Sequence, residues 1–399
     1  MNKWFKIIGF VLLLIVIFLI SAPFVFEAQL KDLVKKGVNN NLNAEVEFSD
    51  LDLTLFRSFP QATLVLKDVS VINKAPFAGD TLAISEEILL KMSIKELFKG
   101  SSQPKKIDEL KLNNAFVNIK VDSLGNNNYD ITIKDAVSTS GDTISNPFKL
   151  DLQHYEINNS LLNYFDEGQK LSLKLEELNH WGTGDFSLQL SELKTETNSL
   201  VSLDYDGVNY LNRNKVALDA VIQMDMDNLK YTFLENEATI NQLALTFDGF
   251  VKVNENNNEI DLSFKTPSSS FKNFLAVIPE TYAKNIENVE TSGDFVVDGT
   301  IKGIVDDTYI PKMNIKISSG NASFKYPDLP KSVQDININA AIINETGLVD
   351  GTFLNIDKMS FRIDQDVFSG NGNIKNLTGN KLVDMALKGT VNLANIKQA

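Results

Sequence analysis

Apolar and polar residues alternate along most of the chain from residue 44 onward. Val46 and Phe48 alternate with glutamates, and the period of two resumes at Leu51 after a slip of one residue at Ser49–Asp50. Successive side chains of a strand point to opposite faces, so this spacing predicts a strand with one apolar face. The slip predicts a β-bulge within that strand.

The same alternation recurs in eight further runs, which are bounded by Gly, Asn, Asp or Pro. These runs are Leu64–Val71, Val117–Val121, Leu171–Leu175, Val216–Met226, Leu243–Phe247, Ile260–Phe264, Met313–Ile317 and Ile336–Ala340. Short polar boundaries of this kind favour tight turns between consecutive strands. The pattern therefore predicts a mainly β protein built as an antiparallel meander.

Three segments show helical spacing instead. Residues 27–42 end in an Asn run, residues 92–98 precede Gly100, and residues 268–289 open with three serines and contain Pro279. The first two predict short helices. The third predicts an amphipathic helix that begins at the serines and breaks or kinks at the proline.

Trp4–Phe26 is an almost uninterrupted apolar run whose only charge is Lys6. A bilayer core of about 30 Å needs roughly 20 apolar helical residues, so the run is long enough for one span. A cleaved signal peptide is the alternative, but cleavage after Ala22 would place Ile20 at −3 and Pro23 directly after the bond. We expect an uncleaved anchor with a short cytoplasmic N-terminus and an exported body.

Composition narrows the possible functions. The 399 residues include no cysteine, which removes disulfides and thiolate chemistry, and the formal net charge is −14. An acidic surface repels phosphates, so we expect no nucleic-acid partner.

An antiparallel sheet with one apolar face must hide that face. The predicted helices are too few to cover so many strands. The sheet can pair as a sandwich, close as a barrel, or form a groove whose lining meets something that is not protein. The apolar anchor disfavours an outer-membrane barrel, which leaves a sandwich or a groove.

The order of segments resembles the AsmA family of bacterial inner-membrane-anchored cell-envelope proteins. The resemblance rests on the apolar start WFKIIGFVLLLIVIFLISAPFVF, on residues 32–71 with the motif LFRSFP, on SIKELFKG at 93–100, and on residues 271–303. It covers essentially the whole chain, and its motifs are structural rather than catalytic. Many members are longer, so this sequence can correspond to an N-terminal portion.

The resemblance implies a fold and a function. It implies an N-terminal transmembrane helix followed by a long curved antiparallel β-sheet groove with a few short helices. It also implies phospholipid transport between the inner and outer membrane, or outer-membrane biogenesis and protein assembly. The partners would be phospholipid acyl chains, the inner membrane, and outer-membrane or periplasmic assembly proteins. The protein would be a single-pass inner-membrane protein with its bulk in the periplasm.

The inward-facing alternating residues are the expected groove lining. These lipid-groove candidates are Leu51, Leu53, Leu55, Leu64, Leu66, Val117, Ile119, Leu218, Ile222, Phe247, Leu262 and Phe264. Their alternative role is the closed core of a membrane-tethered β-sandwich scaffold or interaction module that transfers no lipid.

The resemblance and the pattern together divide the chain into four segments. We expect an anchor over 1–26, an AsmA-like β-rich region over 27–266, an amphipathic helical segment over 267–290, and continuing β-sheet repeats over 291–399.

Catalytic signatures are sparse in this sequence. His154 and His180 are the only histidines, and Asp225 and Asp227 alternate with methionines as solvated strand residues do. The loop at 122–130 lacks the spacing of a calcium loop, and no phosphate-binding glycine loop or nucleophile elbow is present. We expect no enzymatic activity, no cofactor and no metal.

Overall fold

The computed structural model describes most of the chain beyond the apolar N-terminus. The described residues are 31, 35, 39, 42–55, 61–97, 99, 105–131, 133, 148–149, 152–205, 207–267, 269–270, 272–273, 289–306, 308–327, 330–377 and 380–390. The described residues are mainly β, with very little helix. The chain forms two compact units, residues 1–187 with 202–207 and residues 188–201 with 208–399, which we call unit 1 and unit 2.

The named elements of unit 1 are nine strands and one helical turn. They are β1 (Ala44–Glu47), β2 (Asp50–Thr54), β3 (Gln61–Asn73), β4 (Thr81–Ser93), α1 (Ile94–Leu97), β5 (Lys105–Lys106), β6 (Glu109–Val121), β7 (Phe148–Lys149), β8 (His154–Asp166) and β9 (Leu171–Thr183).

The strands of unit 1 pair in the order β3, β4, β6, β8, β9, and both β1 and β2 pair with β3. The pairs are antiparallel except β6 with β8, and the two-residue strands β5 and β7, which are parallel. The purely antiparallel prediction was therefore wrong in this unit. Residues 122–153 separate β6 from β8, and this connection is long enough to return the chain to the end of the sheet at which β6 began.

Several strands of unit 1 interrupt their apolar–polar alternation by one residue. These interruptions lie close together in the register of the sheet. The predicted slip at Ser49–Asp50 separates β1 from β2, and Asp68 on β3 has a positive φ of 49°. Asn114 on β6 and Asn159 on β8 repeat this conformation at 50° and 45°. The Asn159 Nδ2 donates to Asn114 Oδ1 at 2.7 Å. Asn tolerates positive φ better than most residues, so these asparagines suit the slips.

The helical predictions were only partly correct. Lys31, Lys35 and Asn39 of the first segment are helical. In the second segment only α1 is helical, because cross-strand pairing between β3 and β4 continues to Ser93. In the third, Ser269–Ser270 form a strand, Lys272 and Asn273 are helical, and residues 274–288 lie outside the described residues.

Unit 2 contains the remaining strands. They are β10 (Leu190–Tyr205), whose residues 202–205 belong to unit 1, β11 (Val208–Asp225), β12 (Lys230–Ile240), β13 (Leu243–Val253), β14 (Asn258–Lys265), β15 (Ser269–Ser270), β16 (Glu290–Val305), β17 (Lys312–Lys325), β18 (Val333–Asn344), β19 (Phe353–Ile363), β20 (Asp366–Lys375) and β21 (Leu382–Gly389). A single 3-10 turn covers Val349–Gly351.

From β11 to β21 the strands of unit 2 form an antiparallel meander in which each strand pairs with the next. The one departure is at β15, since β14 and β15 both pair with β16. The sheet thus runs directly from one side of the predicted helical segment to the other. This pairing confirms the meander for unit 2.

The apolar anchor predicted at Trp4–Phe26 lies outside the described residues. Within the part of the chain that the structure describes, no helix is long and apolar enough to cross a membrane.

Candidate functional site

Five of the twelve candidate lining residues lie together in a buried cluster of unit 1. Their exposed fractions are 7% or less, and the residues are Leu51, Leu53, Leu55, Leu64 and Leu66. Phe48, Met92 and Ile107 are buried in the same cluster, and Ile94 of α1 packs against it. Protein already covers these leucines, so the structure uses them as packed core.

Val117 and Ile119 lie farther along the same sheet on β6. Val117 is opposite Ala83 on β4 and Leu162 on β8, and Ile119 is opposite Tyr164. Both candidates are half-buried. Val117 and Ile119 line up with apolar residues of the neighbouring strands, and neither belongs to the buried cluster around Leu51.

The other five candidates share one face of the unit 2 sheet. Phe247 pairs with Phe264 across β13 and β14, and residues that pair directly point to the same face. Leu262 on β14 follows the same alternation as Phe264. Leu218 and Ile222 on β11 join this face through their partners on β12. All five are half-buried.

Following the registers from strand to strand extends this face across the whole meander. We call it the unit 2 apolar face. Its members include Val216, Leu218, Ile222, Tyr231, Phe233, Leu245, Phe247, Val251, Ile260, Leu262, Phe264, Val297, Ile301, Met313, Ile315, Ile317, Ile338, Ile342, Leu354, Ile356, Met359, Phe361, Phe368, Ile374, Val383, Met385 and Leu387.

The unit 2 apolar face is only partly covered. Its densest part is a cluster on β16, β17 and β18, where Phe295, Ala322 and Ile336 are buried. Ala220 and Met224 on β11 and Leu243 on β13 are also buried, whereas most of the other side chains of this face are half-buried or exposed. The described strands from β11 to β21 all belong to one sheet, so unit 2 itself supplies no second described sheet over this face.

The opposite face of the unit 2 sheet is polar. It contains a depression of about 300 Å³ on β13, β14, β16 and β17. In one cross-strand row of this depression, Asp298 lies opposite Lys265 on one side and Lys316 on the other. This face has the character of a solvated surface, and the contrast shows that apolar residues concentrate on one side of the sheet.

A charged network crosses β4, β6 and β8 on the polar side of unit 1. Lys111 Nζ lies 3.2 Å from Glu109 Oε1 and 2.9 Å from Glu156 Oε1, and Lys91 Nζ lies 3.0 Å from Glu109 Oε2. Partial burial disfavours ionisation of Glu109, but hydrogen bonds from Lys91 and Lys111 outweigh it and hold the pKa of that carboxyl below its usual value.

The pKa of Glu156 is lowered in the same way. Burial opposes ionisation, and hydrogen bonds from His154 and Lys111 outweigh it. Ligand atoms of Glu109, His154 and Glu156 lie within 4.8 Å of one another, which is the spacing of a metal site. Lys111 already contacts both carboxylates, so this group is an ion-pair network between strands.

His180 belongs to an aromatic contact on the other side of the sheet. Its Nε2 lies 2.8 Å from Tyr155 Oη, and the two ring centroids are 5.2 Å apart. This is a packing arrangement.

Several strands of the apolar face were missed by the sequence pattern. On β12 the alternation jumps from Phe233 to Asn236, and on β19 it jumps from Ile356 to Met359. On β19 the polar residues Asp357 and Lys358 separate two apolar residues, and this spacing of three is a signal of the slip that could have identified the strand. On β12 Asn236 is polar and Leu234 follows Phe233, so the sequence carries no such signal.

Comparison with known proteins finds no match among protein-family models, curated proteins or solved structures.

Proposed function

We propose that this protein binds phospholipid acyl chains along the unit 2 apolar face. In this proposal it acts as a membrane-anchored, non-enzymatic periplasmic protein. It takes part in phospholipid transport between the inner and outer membrane, or in outer-membrane biogenesis and protein assembly. The observation that supports the proposal is the continuity of the apolar face across ten paired strands, with most of its side chains half-buried or exposed.

The energetics favour an acyl chain as the ligand of such a face. Soluble proteins rarely leave large contiguous apolar surfaces in water. Burial of each methylene group contributes about 0.8 kcal/mol. A surface that contacts many methylenes can therefore offset removal of a lipid from the bilayer, while the headgroup stays in water.

The AsmA resemblance adds the cellular setting to this proposal. It includes the transmembrane anchor at 1–26, the inner-membrane location and the curved groove. The mainly β fold and the one-sided apolar sheet agree with these expectations.

A membrane-tethered β scaffold is the second candidate function. The cluster around Leu51 favours it, because this apolar core of unit 1 is covered by protein and needs no ligand. The two candidates differ in what they expect of unit 2. Lipid binding assigns a function to the exposed part of the unit 2 apolar face, as a binding surface. The scaffold function assigns none to it.

Lipid mass spectrometry on the full chain, purified in a mild detergent, tests the proposal. Leu218→Asp and Ile315→Asp place a carboxylate on the apolar face, and Ala217→Asp and Asn314→Asp place one on the opposite face of the same strands. We expect bound phospholipid in the parent and both controls, and a large loss in the two apolar-face variants.

Lipid held by the membrane anchor would be equal in all five proteins, so the difference between faces is the informative quantity. Circular dichroism establishes that each variant is folded. Equal phospholipid in apolar-face variants and controls would contradict the proposal and leave the scaffold as the better account.

A further inference from the structure

The last described strand, β21, is exposed along its whole length. All eight residues from Leu382 to Gly389 are exposed, and Leu387 has an exposed fraction of 59%. β21 pairs with β20 on one side, and no described strand pairs with its other side. Every second residue therefore directs its backbone N–H and C=O away from the sheet.

The edge at β1 in unit 1 is protected differently. Asn39 Oδ1 accepts a hydrogen bond from the Val46 backbone N–H at 2.7 Å, and Asn39 Nδ2 donates to the Val46 carbonyl at 3.0 Å. The side-chain amide thus occupies the position of a neighbouring strand. Exposed edges pair readily with other strands, and proteins usually protect them. The described residues provide no such cap for β21.

We propose that β21 pairs antiparallel with β21 of a second copy of this chain, about a two-fold axis at Ala386. In this register Ala386 lies opposite itself. Asp384 of each copy lies opposite Lys388 of the other, and Met385 of each lies opposite Leu387 of the other. The strand is therefore complementary to itself in charge and in apolar character.

The charges that form these pairs are available. Asp384 pairs in register with Asn373, and Lys388 with Ser369, so β20 supplies no opposite charge to either. No ion pair involving Asp384 or Lys388 occurs among the described residues. Cross-strand pairs of opposite charge stabilise a sheet, and like charges directly opposite destabilise it.

Other registers lose this complementarity. An axis at Met385 places Asp384 opposite Ala386 and leaves both charges without a partner. Parallel in-register pairing places Asp384 beside Asp384 and Lys388 beside Lys388. Of these three arrangements, only the axis at Ala386 places Asp384 and Lys388 of each copy opposite a residue of the opposite charge.

The proposed register also preserves the faces of the sheet. In this register odd-numbered residues pair with odd-numbered residues, and these share one face of the strand. Val383, Met385 and Leu387 of both copies therefore lie on the same side of the sheet. The unit 2 apolar face would then continue from one copy into the next. This pairing extends the surface on which the proposed function rests, but it does not require lipid.

Disulfide cross-linking tests the pairing cleanly because the chain contains no cysteine. Opposed residues of antiparallel strands have Cα atoms about 4.5–5.5 Å apart, which suits a disulfide. We expect Ala386→Cys in the full chain to form a covalent dimer under mild oxidation. Asn371→Cys is the control, because Asn371 pairs with Ala386 one strand inward. The two Asn371 positions would be about 14 Å apart.

Charge exchange in the Ala386→Cys background tests the register. We expect Asp384→Lys or Lys388→Asp alone to slow cross-linking about fivefold, since each creates two like-charge pairs. The double variant Asp384→Lys/Lys388→Asp should restore the rate. All substituted residues are exposed, so these variants should fold.

Two results would overturn the proposal. One is equal cross-linking of Ala386→Cys and Asn371→Cys, or a double variant that stays slow. The other is a monomer that does not cross-link and whose β21 amides resist hydrogen exchange on both sides, which would assign the edge to another part of this chain. Because these readouts need no lipid, failure here is distinguishable from failure of the proposed function.

Discussion

The ring of Phe264 on β14 lies across Gly299 on β16. The two residues are direct cross-strand partners, and a Cβ atom at residue 299 would lie 2.6 Å from Phe264 Cζ. Gly299 thus leaves room for the Phe264 ring, and the ring covers a backbone that has no side chain of its own. Phe368 and Gly389 repeat the arrangement on β20 and β21.

This contact predicts that Gly299→Ala destabilises the protein. The methyl group would displace the Phe264 ring, and it would also come within 3.2 Å of Ile315 Cγ1. We expect the free energy of unfolding, measured by urea denaturation, to fall by about 1–3 kcal/mol, as in other overpacked sites.

Gly320→Ala on β17 is the matched control for that substitution. The nearest atom to a Cβ at residue 320 is Asn337 Oδ1 at 3.9 Å. We expect a change within about 0.5 kcal/mol. Equal effects of the two substitutions would show that Phe264 and Gly299 do not depend on each other.

The cap on the β1 edge predicts that Asn39→Ala weakens unit 1. It removes both hydrogen bonds to the Val46 backbone. We expect a loss of about 1–2 kcal/mol in the free energy of unfolding, and faster hydrogen exchange at the Val46 amide.

Lys31→Ala is the control in the same predicted helical segment. Lys31 Nζ lies 3.5 Å from the Ser49 carbonyl oxygen, a much weaker contact. We expect little change in unfolding and none in the exchange of Val46. If the hydrogen-exchange rate of the Val46 amide were the same in Asn39→Ala as in the parent, Asn39 would not cap the β1 edge.

The network around Lys111 predicts a loss of stability in acid. The folded pKa values of Glu109 and Glu156 are lowered, so their stabilising contribution is present above the unfolded value of about 4.5. It is lost as the pH falls through the lower folded values. The free energy of unfolding should therefore decrease below about pH 4.5.

Glu109→Gln isolates one part of this dependence. The variant cannot ionise at this position, so we expect a shallower decrease of the free energy of unfolding below about pH 4.5 than in the parent. Parallel pH profiles for parent and variant would show that Glu109 does not contribute to the acid loss.

The sequence was most informative where alternation is regular. The run Val216–Met226 lies on β11 except for its last residue, Met226, which is in the following turn. The runs Leu243–Phe247 and Ile260–Phe264 lie entirely within β13 and β14. A period of two directly predicts a strand and its faces. Pairing partners follow from the short turns, which is why the meander of unit 2 was predictable.

The sequence was less informative where tertiary contacts decide. Leu51 and Leu218 have the same local alternation, yet Leu51 is fully buried and Leu218 is only half-buried. The difference comes from Phe48, α1 and Ile107, which cover one end of the unit 1 sheet. A strand pattern shows which residues share a face, but it does not show what covers that face.

Photo-crosslinking from two phenylalanines of one strand tests lipid binding most directly. Phe247 belongs to the unit 2 apolar face, and its ring lies 5.3 Å from that of Phe233. Phe250 lies on the opposite face of β13, where Lys230 Nζ lies 3.9 Å from its ring centroid. Each would be replaced in turn by the photoreactive p-benzoylphenylalanine in the full chain, followed by irradiation in phospholipid vesicles and mass spectrometry. We expect phospholipid adducts at residue 247 and few or none at residue 250. Equal labelling at both positions, or none at residue 247, would contradict acyl-chain binding on the unit 2 apolar face.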